Sequence, residues 1–215
     1  MKKYFDVLRR CPLFQQIGDD ELFSLLACLA ANVIHFFDKE VIVSEGGPAG
    51  RIGIVLSGSA QIVQVDYFGN RSIVAHLGPS ELFGESFACA GVQEMPVNVV
   101  ASEDAQVLLM DYSKITQPCS EDCAFRRKML DNLLHIMATK NLAFHQKVTI
   151  LSRRTTREKL MAYLLLQAKG HQGTCFEIPY DRQELADYLG VDRSGLSAEI
   201  SKLRKEGVLK STRNQ

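Results

Sequence analysis

Residues 180 to 209 read Tyr180-Asp-Arg-Gln-Glu-Leu-Ala-Asp-Tyr-Leu-Gly-Val-Asp-Arg-Ser-Gly-Leu-Ser-Ala-Glu-Ile-Ser-Lys-Leu-Arg-Lys-Glu-Gly-Val-Leu209, which spells two short helices joined by a tight turn. Asp181 followed three residues later by Glu184 is a capping-box variant, so a helix starts there. Leu185, Ala186 and Leu189 give that helix an apolar stripe, and Gly190 suits the left-handed position that ends it. Asp192 is placed to cap a second helix whose Leu196, Ile200 and Leu203 share one face, with Gly207 closing it. Its other faces carry Arg193, Ser194, Ser197 and Lys202.

A helix-turn-helix lays its second helix in the DNA major groove, N-terminal residues towards the base edges. An arginine there can bond guanine through two acceptors, and serine hydroxyls suit bases or phosphates. An ordinary helical hairpin with a solvated polar face satisfies the same periodicity. The full string separates the two readings. Arg-Gln-Glu-Leu-Ala, Leu-Gly-Val, Asp-Arg-Ser-Gly-Leu-Ser and Lys-Leu-Arg-Lys-Glu-Gly-Val-Leu together resemble the DNA-binding motif of the bacterial Crp/Fnr superfamily of regulators.

Composition fits that resemblance. The chain has 215 residues, 46% hydrophobic and 23% charged, as in a soluble globular protein of one large or two small domains. No apolar run is long enough to span a bilayer, and Met1 to Asp6 leads into no signal-like stretch, so a cytoplasmic protein without membrane attachment is expected. Net charge is zero, yet from Ile150 onward 12 Lys and Arg face 8 Asp and Glu, a surplus of four that suits a phosphate-binding surface. Six cysteines (Cys11, Cys28, Cys89, Cys119, Cys123, Cys175) form no CxxC pair and read as free thiols.

Tyr4, Phe5 and Leu8, then Pro12-Leu13-Phe14, then Leu22, Leu25, Leu26 and Leu29 predict packing helices at the N-terminus. From Val33 to Met110 short β-rich runs (33–37, 40–43, 51–57, 60–66, 71–77, 97–101, 106–110) alternate with Gly and Pro turns. Such spacing predicts a double-sheet jelly roll or barrel. It is similar to the sensory β-roll of the same superfamily. The expected architecture is therefore α+β: an N-terminal double-stranded β-helix (jelly roll) like a cyclic-nucleotide-binding domain over 1–118, a dimerisation helix over 119–151, and a C-terminal winged helix-turn-helix over 152–215.

Phe83-Gly84-Glu85 resembles the start of the superfamily's phosphate-binding cassette, where the Glu takes a ribose hydroxyl and a later Arg-Ser pair neutralises a cyclic phosphate. Here the Arg-Ser positions fall on Met95-Pro96, and no Thr-Ser pair for adenine occurs between Cys123 and Thr149. A buried phosphate would lack a charge partner, at a cost of several kcal/mol. A weakly charged, apolar effector is expected instead, its identity open, lined by Phe83, Gly84, Glu85, Met95 and Pro96 and by Phe144 and His145 of the long helix. A cavity simply filled by side chains is the alternative.

Residues 122–151 form the longest helical pattern. Leu130, Leu133, Met137, Phe144, Val148 and Leu151 approximate a three-four seam for a second subunit, beside a line of Met129, Ile136, Ala143 and Ile150. Ser152 to Glu158 breaks the apolar pattern and marks the hinge, with Thr155 or Thr156 capping the next helix. Cys175 to Pro179 is expected as a short strand. Past the recognition helix only residues 210–215 remain for the wing the resemblance implies.

For function, the resemblance implies a homodimeric regulator that binds double-stranded DNA at a palindromic promoter site, contacts RNA polymerase and answers to a small-molecule effector. The DNA contacts fall on Arg182, Gln183, Asp192, Arg193, Ser194, Gly195, Ser197 and Lys202, and two recognition helices sit about 34 Å apart. Ala198 replaces an Arg often found in the family. Rival chemistry rests on single residues. A cupin-like metal enzyme would use His35 and His76, which lack metal-ligand spacing, so an enzyme is not expected. A redox or gas sensor of the same superfamily would need an N-terminal cysteine cluster that this chain does not match, or a haem on His76 or Cys89.

Overall fold

The computed structural model describes residues 2–116 and 124–211; Cys119, Cys123 and the expected boundary at 118/119 lie outside them. By its contacts the chain divides into two units, Met1–Gln64 with Ala75–Lys140, and Val65–Val74 with Asn141–Gln215. The division cuts the long helix at Lys140, because each half of that helix contributes side chains to a different core.

The first unit opens with α1 (Phe5–Arg10), a 3-10 turn at Pro12–Phe14 and α2 (Asp19–Cys28). Eight strands follow among the described residues: β1 (Asn32–Phe36), β2 (Val41–Val43), β3 (Arg51–Ser57), β4 (Ala60–Val65), β5 (Arg71–Leu77), β6 (Leu82–Phe83), β7 (Asn98–Ala101) and β8 (Ala105–Asp111). They form two four-stranded sheets, ordered β1-β8-β3-β6 and β2-β7-β4-β5, and the recorded pairings are antiparallel. This is the double-sheet roll expected from the turn spacing. β6 was missed because two residues carry no alternation to read.

β3 shows why the first sheet is central. Ile52, Ile54 and Leu56 point to one face, where Leu8, Leu13, Leu22 and Leu26 cover them, and Val55 points to the other, against Phe83 and Val107. Burial on both faces explains a run of five buried residues where a half-solvated strand would alternate. Short helices α3 (Glu85–Cys89) and α4 (Ser113–Thr116) lead to α5 (Ala124–Leu151). Met129, Leu133 and Ile136 of α5 pack into the same outer core. Asn132 donates to the carbonyls of Leu13 and Gln15 at 3.0 and 2.9 Å, satisfying two irregular backbone acceptors.

In the second unit, α6 (Thr156–Gly170), α7 (Arg182–Leu189) and α8 (Arg193–Lys205) surround a core of Leu160, Tyr163, Leu185, Leu189, Leu196 and Leu203. Thr155 caps α6 through a capping box with Glu158, and Asp181 with Glu184 does the same for α7. Gly190 takes the left-handed conformation at φ 58° that closes α7. The expected strand over Cys175–Pro179 is not formed. A strand needs a neighbour for its backbone groups, and the described residues after α8 supply none.

Candidate nucleic-acid interface and effector cavity

A cavity of about 160 Å³ lies in the β-roll, lined by Ile42, Ser44, Arg51, Phe83, Gly84 and Met95 among others. Its shape depends on two glycines. A Cβ on Gly53 would fall 2.0 Å from the Phe83 ring, so Gly53 lets that ring lie flat on β3. Gly84, at φ +81°, lets the chain pass close to the Arg51 carbonyl, which a Cβ would approach to 2.5 Å.

Of the effector residues named from sequence, Phe83, Gly84 and Met95 line this cavity. Pro96 is exposed, and Glu85, Phe144 and His145 do not line it. Phe144 and His145 are exposed on the half of α5 that belongs to the second unit. Glu85 is buried, and its carboxylate is already engaged: Lys140 Nζ stands 2.7 Å from Oε1 and 2.6 Å from the Leu82 carbonyl. The carboxylate that the resemblance assigns to a ribose thus holds a lysine of the chain's own long helix. Sequence reasoning also missed Arg51, which alternates with Gly53 and Val55 on the inner face of β3 and brings a cation to the cavity.

On α8, Leu196, Ile200 and Leu203 are buried and anchor the helix. Arg157 of α6 reaches Glu199 at 3.3 Å and Glu206 at 2.5 Å, so one guanidinium ties the middle and the C-terminal end of α8 to α6. Lys159 donates to the carbonyls of Leu189 and Gly190 at 3.3 and 3.4 Å, fastening the turn between α7 and α8. Arg193 and Ser197 are exposed on adjacent turns of one edge, and Arg193 makes no hydrogen bond or ion pair among the described residues. Ser201 and Arg204 continue that edge; the spacing of four and seven residues from Ser197 was the available signal.

The remaining sequence candidates have other occupations. Asp192 caps α8, accepting from the Gly195 amide at 2.8 Å and from the Ser194 hydroxyl, and these bonds hold its carboxyl below the usual range. Lys202 lies nine positions from Arg193, about 180° round the helix, and pairs with Glu199 at 3.7 Å. Gln183 donates to Asp187 at 2.8 Å, and Arg182 to the Ser211 hydroxyl at 3.2 Å.

Along α5 the exposed large apolar positions are Leu130, Leu134, Leu142, Phe144, Val148 and Leu151, with Met137 half-buried; Leu142 lies off the line that the others follow. With Asn141 they repeat at spacings of four and three, the pattern of a two-helix seam. Leu133, placed on the seam from sequence, is 4% exposed and belongs to its own chain's core; Leu134, 71% exposed, takes that place.

Two family models match the chain, the cyclic nucleotide-binding domain over residues 33–122 and the Crp-like helix-turn-helix domain over 158–215. The transcriptional activator protein FnrL of Cereibacter sphaeroides is 27% identical over 190 residues, 79% of this chain and 69% of the relative. The cyclic AMP receptor protein of Thermus thermophilus is 25% identical over 208 residues, 94% and 90% of the two chains. The chain belongs to the Crp/Fnr family of transcriptional regulators.

Solved structures agree on the fold. The c-di-GMP-responsive global regulator CLP of Xanthomonas campestris superposes with a TM-score of 0.74 at 18% identity, covering 89% of this chain and 96% of CLP. FixK2 of Bradyrhizobium japonicum gives 0.66 at 21% identity, covering 85% and 90%. Crp/Fnr proteins are transcription regulators and not enzymes, and no described helix of this member is long and apolar enough to cross a membrane. Its Cys11 is buried and its thiol is pushed up to about 12 by that burial, whereas Cys28 and Cys175 are exposed.

Proposed function

We propose that this Crp/Fnr regulator acts as a homodimer on a pseudo-palindromic promoter site, reading it with Arg193 and Ser197 of α8, contacting RNA polymerase, and answering to a small effector that is not a cyclic nucleotide. The observation that carries the DNA part is the exposed Arg193, Ser197, Ser201 and Arg204 edge, beside the buried Leu196, Ile200 and Leu203 face, on a helix that Arg157 ties to α6. Arg182, Gln183 and the α7 side of the turn serve the DNA backbone, Lys202 pairs with Glu199 on the far side of α8, and Asp192, Ser194 and Gly195 shape the start of α8. Leu130, Leu134, Met137, Phe144, Val148 and Leu151 form the dimer seam, where a central Asn141 sets the register. The β-roll of 1–118, the helix of 119–151 and the DNA-binding part of 152–215 are the working divisions.

Against a cyclic nucleotide stand Met95-Pro96 in the clamp position and the Glu85 carboxylate paired with Lys140; the cavity measures about 160 Å³. Arg51 gives the cavity one cation, so a compact effector with an apolar body and a single polar end fits it. An effector that prefers one arrangement of α5 shifts DNA affinity by no more than that preference. Selecting duplexes from random sequence with the purified protein, then following thermal unfolding with cyclic AMP and cyclic GMP, tests both parts. Two-fold symmetric selected sites and unchanged melting are expected.

A further inference from the structure

The second unit also holds a cavity away from the DNA-reading edge. It is an apolar cleft of about 530 Å³ between α6, the irregular 174–178 segment and the 208–211 segment that follows α8. Leu164, Leu165 and Ala168 of α6 form one wall, and Phe176, Ile178 and Leu209 form another. Its size lies within the roughly 300–1,000 Å³ of small-molecule sites. Cys175–Pro179 does not pair as a strand, and Leu165 and Val208 at the cleft are 64% and 50% exposed.

The polar end of the cleft is cationic. Arg182 and Lys210 both line it. Among the described residues the Arg182 guanidinium has no carboxylate partner; its acceptor is the neutral Ser211 hydroxyl, and its nearest charged influence is another cation, Arg204. Partial burial and that like charge push its affinity for a proton down, the sign of a cation short of a counter-ion. An apolar trough ending in an uncompensated guanidinium is complementary to an apolar body carrying one carboxylate, which Arg can take through two parallel bonds.

We propose that this cleft is a second small-molecule site, distinct in its residues from the β-roll cavity, and that it takes an apolar monocarboxylate whose body lies along Leu164 and Ala168 and whose carboxylate meets Arg182. Occupancy would draw on the side chain assigned above to the DNA backbone. That consequence rests on the DNA-binding reading, so the test reads binding without DNA.

The probe is 1-pyrenebutyrate, followed by fluorescence anisotropy on the full chain, with its neutral amide as control. Saturable binding at one probe per chain is expected, with Arg182→Gln weakening the acid about tenfold and leaving the amide unchanged. Ala168→Phe, which fills the cleft, should abolish binding of both. A measurement on the unaltered chain backs these variants: saturating probe should slow alkylation of Cys175, which lines the cleft, and leave the exposed Cys28 reacting at its former rate. Equal binding of acid and amide, indifference to Arg182→Gln, or an unprotected Cys175 would overturn the proposal.

Discussion

Lys140 on α5 and Glu85 at the start of α3 form an ion pair at 2.7 Å, with Glu85 buried and the lysine also bonded to the Leu82 carbonyl. The pair joins the long helix to the cassette that frames the β-roll cavity. Removing the cation leaves a buried carboxylate with only the Ser86 hydroxyl donating to it, at 3.3 Å. Lys140→Met should therefore cost about 3 kcal/mol, at the low end for a broken buried pair because the lysine is partly exposed. Lys140→Met with Glu85→Gln should recover part of the loss. Urea unfolding of the three proteins checks this, and a single variant as stable as the parent would show that the pair contributes nothing.

Arg193 is exposed and uncommitted at the first turn of α8. Arg193→Ala should cost about 1 to 3 kcal/mol in DNA affinity and relax specificity at one position per half-site. Competition binding against a library of single-base variants separates the outcomes, since a uniform loss over all sequences would make Arg193 a phosphate anchor.

The seam argument turns on Leu134 and Val148, 71% and 64% exposed in the single chain. Leu134→Glu or Val148→Glu should weaken the dimer by about 100-fold or more, because each forces a carboxylate into an apolar contact. Leu133→Glu should instead unfold the first unit, since Leu133 lies in its core. Sedimentation velocity with circular dichroism distinguishes dissociation from unfolding; a Leu134→Glu protein that stays dimeric would move the interface elsewhere.

Much of this was legible in the sequence because local chemistry decides it. The Thr155-Glu158, Asp181-Glu184 and Asp192 caps, and Gly190 after α7, are written within a few residues, and the structure forms each of them. Leu133 against Leu134 was not legible: either satisfies a three-four spacing, and only the surface of the roll decides which faces inward. Lys140 meeting Glu85 is a contact 55 residues apart in the chain, with no local pattern to announce it. Arg51 was overlooked because a charged first residue of an apolar strand reads as a solvated edge until the cavity is in view.

Lys147 supplies a pH signature in the second unit. Its ammonium donates to the Ile73 and Val74 carbonyls and lies 4.1 Å from the centre of the Tyr188 ring, yet burial lowers its pKa from 10.5 to about 8. Between those values the unfolded chain holds the proton and the folded chain releases it, so stability should rise as pH climbs from about 8 to 10.5 and level off below about 8, where both states hold the proton. Lys147→Met should flatten that rise relative to the parent. Denaturant midpoints measured across the window check it, with an identical slope in both proteins as the contrary result.

The most direct test of dimeric, sequence-specific DNA binding is a salt titration of the purified protein on its selected duplex, compared with a duplex in which one half-site is scrambled. Two chains should bind per intact site, with affinity falling steeply and linearly in log salt and the scrambled duplex bound far more weakly. A protein that is monomeric at micromolar concentration, and binds both duplexes alike, would contradict it.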